Sequence, residues 1–165
     1  MKFSYALKSA ALLGFVALGL ASTPVFATTQ TTTFAVTASV QGSCTISSTA
    51  LSFGAYTGTA LPGTSTITVN CTGGTTYNVG LNAGTSGGTV TTRKMTGQYL
   101  NGTLAYSLFS NSAMTTNWGN TVGTDTSAGT GTGAAQTLTV YGKIPAGTAP
   151  AADGYSDTIT ATVTY

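Results

Sequence analysis

Hydrophobic and polar positions alternate with period two in a series of short runs from residue 32 onward. That spacing predicts strands with one buried face, and no apolar stripe with helical spacing interrupts them. Residues 32–40 place Phe34, Val36, Ala38 and Val40 on one face and mostly Thr and Ser on the other. Further strands are expected around Cys44 and Ile46, over 51–54, over 66–71 and over 77–81. Residues 103–109 put Leu104, Tyr106 and Leu108 on one side, and residues 136–144 do the same with Leu138, Val140 and Ile144. The last run, 155–165, aligns Ile159, Ala161, Val163 and Tyr165. Gly58, Pro62 and Gly63 mark 56–64 as a turn, and 84–97 reads as a loop or weak hairpin. Residues 111–133 form a long polar stretch that carries Trp118 and ends in a glycine-rich run expected to be a flexible loop. Six or seven short strands separated by turn signals predict an all-β sandwich in one domain.

The first 27 residues stand apart from this pattern. Lys2 and Lys8 precede an apolar run over 10–20, Pro24 breaks it, and Val25 and Ala27 offer small residues at −3 and −1 of a cleavage site. This is the layout of a secretory signal peptide cut after Ala27. The apolar run falls short of the roughly 20 residues that span a bilayer, so no mature membrane anchor is expected. The chain then divides into a leader (1–27), an N-terminal segment (28–41) and a β domain (42–165).

Composition narrows the function. The chain holds 5 Lys and Arg, 3 Asp and Glu and no His, while Thr numbers 37 and Gly 22. Beyond the leader, Arg93, Lys94 and Lys143 balance Asp125, Asp153 and Asp157. No basic footprint exists for nucleic acid. Without His, serine nucleophiles lack their usual base and zinc sites their usual ligands. Asp153 and Asp157 share one face of a strand, but nothing else supports a paired-carboxylate glycosidase. No enzymatic activity and no cofactor are expected. Arg93 and Lys94 read most simply as a solvated pair, and Trp118 as a packing residue or, alternatively, a sugar platform. Cys44 and Cys71, the only cysteines in an exported chain, point to a disulfide rather than to free thiols or half of a metal site.

The N-terminal run is the feature that suits a self-contained sandwich least. An alternating strand behind a cleavage site can pair within its own sheet, or it can be added to another molecule. In strand addition, backbone hydrogen bonds supply affinity and alternate side chains enter pockets.

Several blocks carry a family resemblance: residues 42–46, 51–54 and 67–72, then 93–95, 104–109, Trp118-Gly119, 136–145 and 155–159. Taken in order over residues 34–165, they resemble the spore coat protein U domain. That family includes major subunits of archaic, Csu-type chaperone–usher pili of Gram-negative bacteria. The resemblance implies an incomplete immunoglobulin-like sandwich that lacks its final strand and is completed by donor-strand complementation. It implies that Thr32, Phe34, Val36, Ala38 and Val40 anchor the donor strand. It pairs Cys44 with Cys71, and sets Ile159, Ala161, Val163 and Tyr165 on the strand that borders the open groove and faces a chaperone. The implied partners are a periplasmic chaperone, an outer-membrane usher and identical or related pilin subunits, with the product at the cell surface. A shaft subunit for attachment and biofilm formation is the reading this favours. The alternatives are a self-complete secreted carbohydrate-binding module using Trp118 and nearby tyrosines, and a coat or surface-layer protein.

Overall fold

The computed structural model describes residues 24–165; the expected leader up to residue 23 lies outside the described residues. The chain divides between Ala38 and Ser39. In the first unit, residues 24–38 carry neither strand nor helix, and Phe34 and Val36 are exposed. A single strand has no ladder partner for its N–H and C=O groups, so alternation alone does not create the strand expected over 32–40.

The second unit holds ten strands: β1 (Cys44–Ser48), β2 (Leu61–Cys71), β3 (Thr76–Leu81), β4 (Lys94–Gly97), β5 (Thr103–Ala105), β6 (Ser107–Phe109), β7 (Ser127–Thr130), β8 (Ala135–Ile144), β9 (Tyr155–Ser156) and β10 (Ala161–Thr164). They form three antiparallel sheets in the orders β1-β2-β8-β6, β10-β3-β7 and β5-β4-β9. The longest ladder joins β2 to β8, from Leu61 opposite Ile144 to Asn70 opposite Ala135. Ile67 and Val69 from β2, Val140 and Ile144 from β8, and Leu108 from β6 bury against Tyr77, Val79 and Leu81 of β3. Each large side chain removed from water contributes roughly 1.5–3 kcal/mol. The disulfide joins Cys44 to Cys71, which are also cross-strand partners at the start of the β1–β2 ladder. Closing a loop of this separation, 27 residues, stabilises by roughly 3–4 kcal/mol in the chain-entropy model. No free cysteine remains, which removes the free-thiol and half-site alternatives.

Several expectations are corrected. The turn read over 56–64 ends earlier, because Leu61, Pro62 and Gly63 already belong to β2. Pro62 is tolerated there because β1 pairs only with the far half of β2, so the missing N–H deprives no neighbour on that side. The run over 103–109 breaks at Tyr106, whose amide donates to the Arg93 carbonyl at 3.0 Å; β5 and β6 then enter different sheets. The run over 155–165 breaks over 157–160, where Asp157 and Thr160 bond to another loop. The glycine-rich run is not a free loop: Ala128 and Gly129 pair with β3, while Gly131 donates to Thr75 and accepts from Gly74. Trp118 is 1% exposed and its Nε1 donates to the Val79 carbonyl at 2.8 Å, so it packs the core and offers no face to a sugar.

The largest correction is Arg93. Its side chain is fully buried rather than solvated. Nε donates to Asn82 O at 2.9 Å, Nη1 to Val90 O at 2.7 Å, and Nη2 to both Leu81 O and Trp118 O at 2.8 Å. Burial lowers its pKa, opposed by the fields of Tyr106, Asp125 and Asp157, but a guanidinium stays charged. The rigid fork thus ties the end of β3, at Leu81 and Asn82, to the segments at Val90 and Trp118. In an Arg93→Lys variant an ammonium with three donors cannot reach all four carbonyls. Each carbonyl left without a partner costs about 1–3 kcal/mol. The urea midpoint should fall by the equivalent of about 2–4 kcal/mol, and a wild-type midpoint would refute this role for the fork.

Candidate functional site

β1 is an outer strand of its sheet and β10 of another, and the two lie side by side without sharing a ladder. Past β1, Thr49 still donates to Thr66 O at 2.9 Å. Residues 50–57 then make no backbone hydrogen bond among the described residues. Side chains hold this segment instead. Leu51 and Phe53 are half-buried and alternate with exposed Ser52 and Gly54. They rest on Gly63 of β2 and Gly142 of β8, which face each other in the ladder. A Cβ on Gly142 would lie 2.8 Å from both Leu51 Cδ1 and Phe53 Cζ, so the seat exists only because the residue is glycine. Tyr56 ends the segment by donating its hydroxyl to Pro145 O at 2.7 Å.

The opposite lip comprises residues 155–161. Thr160 donates its amide to Asn82 Oδ1 at 2.9 Å and accepts from the Asn82 amide at 3.1 Å. Asn82 in turn gives its carbonyl to Arg93, so this lip hangs from the buried guanidinium. Asp157 adds a second tie. Its Oδ1 accepts from the amides of Thr85, Ser86 and Thr158 at 2.8, 3.0 and 2.8 Å, and its Oδ2 from the Tyr106 hydroxyl at 2.6 Å. Burial pushes the Asp157 carboxyl up, but these donors together outweigh it and hold it below the usual carboxylate range. Burial and then the bond to Asp157 raise the Tyr106 pKa.

Between the lips lies an open cavity of about 420 Å³, whose lining includes Leu51, Phe53, Ile67, Leu81, Leu108 and Ile159. A second cavity of about 490 Å³ continues between residues 51–56 and 149–155 and shares Leu51, Phe53, Met95 and Tyr155 with the first. Together they form a groove floored by core side chains, with polar and apolar atoms both exposed along it. The Phe53 and Tyr106 rings meet edge to face, 6.3 Å apart, along its length. The arrangement offers apolar burial plus unpaired backbone, which is what an added strand requires. Among the described residues no group of three or more His, Cys, Asp or Glu could hold a metal ion.

The residues expected from sequence divide around this groove. Ile159 and Ala161 line it. Val163 sits farther along β10, half-buried opposite Val79 and outside the cavity lining, and Tyr165 is exposed. Thr32, Phe34, Val36, Ala38 and Val40 are exposed, as is Ala27 at the expected cleavage site. Asp153 and Asp157 are held by separate loops: Asp153 Oδ2 accepts from the amides of Tyr99 and Leu100 at 2.9 Å each. Sequence reasoning missed Tyr56, Met95, Tyr106 and the Gly63–Gly142 seat. The alternation of Leu51 and Phe53 marked a strand but could not reveal that it lacks a partner.

A depressed carboxyl pKa contributes stability above its unfolded value, and that contribution is lost as pH falls through the folded value. The domain should therefore weaken below about pH 4, the usual carboxylate range. Asp157→Asn should remove part of the acid slope in urea midpoints measured between pH 7 and pH 3. An unaltered slope would mean that Asp157 is not among the groups responsible.

Comparison with known proteins agrees with this geometry. The fold is similar to a chain in the CsuC–CsuE chaperone–tip adhesion subunit pre-assembly complex from archaic chaperone–usher Csu pili of Acinetobacter baumannii, with a TM-score of 0.59 and 26% identity. The match covers 76% of this chain and spans only 40% of that one. No curated protein matches the sequence. The Spore Coat Protein U domain model matches residues 30–162. With four-fifths of its length accounted for by that match, an all-β fold and an open groove between two sheet edges, the chain belongs to the Spore Coat Protein U domain family.

Proposed function

We propose that this chain is a structural pilin of a chaperone–usher pilus that polymerises by donor-strand exchange and serves surface attachment and biofilm formation. The observation that carries the reading is the groove, where residues 50–57 present unpaired backbone above exposed core. A periplasmic chaperone lends a strand to the groove during transit, and an outer-membrane usher exchanges it for the N-terminal segment of the next subunit. Phe34, Val36 and Val40 of that segment then move from water into the groove. At roughly 1.5–3 kcal/mol each, they contribute about 5–9 kcal/mol before ordering costs. None of these steps calls on a catalytic residue or a cofactor. Near-neutral net charge beyond the leader weakens repulsion between stacked copies, and Thr hydroxyls keep the outer faces wet.

Unboiled gels of the exported protein should show a ladder of denaturation-resistant multimers. Deleting residues 28–41 should abolish the ladder while a complex with the chaperone persists. Phe34→Asp should reduce the ladder strongly, because a carboxylate would enter a groove floored by core side chains. A cooperative, fully stable monomer made without any chaperone would sink the proposal.

A further inference from the structure

The donor segment and the groove belong to the same chain, so the segment could close its own groove. We propose that the tether between them prevents this, and that the groove is thereby reserved for the N-terminal segment of a second copy. This inference rests on the donor-strand reading above.

Three features of the tether carry it. First, its end is pinned. Ser43 donates its amide to Thr72 Oγ1 at 3.2 Å and accepts from the Thr72 amide at 2.9 Å, which extends the β1–β2 ladder back from the disulfide. Second, Gly42 packs flat on Thr75, where an added Cβ would lie 2.9 Å from Oγ1. Neither Gln41 nor Gly42 has the positive φ that two-residue hairpin turns require at their first or both central positions. The chain is not built to reverse there. Third, the register is wrong. An antiparallel turn at Gln41 and Gly42 would set Val40 against Ser43, Ala38 against Thr45, Val36 against Ser47 and Phe34 against Thr49. The groove lining starts at Ser48 and continues through Tyr56. The apolar anchors would thus lie mostly ahead of the groove, and polar Thr32, Gln30 and Thr28 would fall against Leu51, Phe53 and Ala55.

Parallel self-insertion fails on length. Residues 41–43 reach about 10 Å at full extension. Val40 would have to sit near Tyr56, while its chain returned past the whole groove and β1 to Gly42. A segment from another molecule carries no such tether and can slide until Phe34, Val36, Ala38 and Val40 lie over the cavities.

Inserting about twenty Gly and Ser residues between Gln41 and Gly42 spans the missing distance in either direction. A short flexible linker presents its segment at about millimolar effective concentration, a hundred- to thousandfold above micromolar protein. The full chain and the insertion variant are refolded at micromolar concentration and sized by light scattering, each with and without Phe34→Asp, and their melting temperatures are compared. The native tether should yield multimers that Phe34→Asp removes. The insertion should yield mainly monomer whose melting temperature falls with Phe34→Asp. The inference is overturned if the insertion variant stays multimeric, or if the native chain gives a monomer whose melting temperature falls with Phe34→Asp, since that monomer has closed on itself. If Phe34→Asp alters neither assembly nor melting in either background, the segment does not enter the groove at all and the donor-strand reading fails with it.

Discussion

Backbone N–H and C=O groups beside an apolar core need hydrogen-bond partners, and over residues 50–57 they have none among the described residues. Residues 50–57 run over the core with their side chains seated and their backbone unpaired. Elsewhere in a folded domain such a stretch would be closed by a neighbouring strand, because leaving these groups without partners away from water is costly. Among the described residues no strand supplies that closure, and the two cavities open beside the unpaired stretch.

A groove of this kind can receive a strand only if its lips stay apart and in register. The Gly63–Gly142 pair fixes one lip by accepting Leu51 and Phe53. The other depends on Arg93, which binds the Asn82 carbonyl while Asn82 holds both backbone groups of Thr160. A buried guanidinium without an adjacent carboxylate is expensive to desolvate, and four carbonyls in good geometry offset that cost. Asp157 fastens the same lip to the loop at Thr85 and Ser86 and orients Tyr106 at the groove. Two of the six charged residues after residue 27 therefore hold this lip in place.

Much of the fold was legible in the sequence. Period two identified the strands at Cys44, 66–71, 77–81 and 136–144, because a half-buried strand writes its orientation into alternate residues. Ile159 and Ala161, expected beside a groove from the family resemblance, line the first cavity, and the Cys44–Cys71 pairing agreed with their count. Arg93 was misread because a charged side chain is ordinarily solvated, and its four partners are main-chain carbonyls that no sequence pattern marks. Tyr56 and Met95 were missed because nothing local distinguishes a groove wall from a core.

The sequence by itself determined the β class, the absence of His, and an alternating apolar run ahead of the first cysteine. These are local properties, set by side-chain type and spacing along the chain. Only the tertiary structure decided which strand edges stay unpaired, where the groove starts relative to β1, and that Ser43 is tied to Thr72 just ahead of it. Those depend on ladders and contacts between residues far apart in sequence. Whether a backbone group is satisfied is settled by what folding brings beside it.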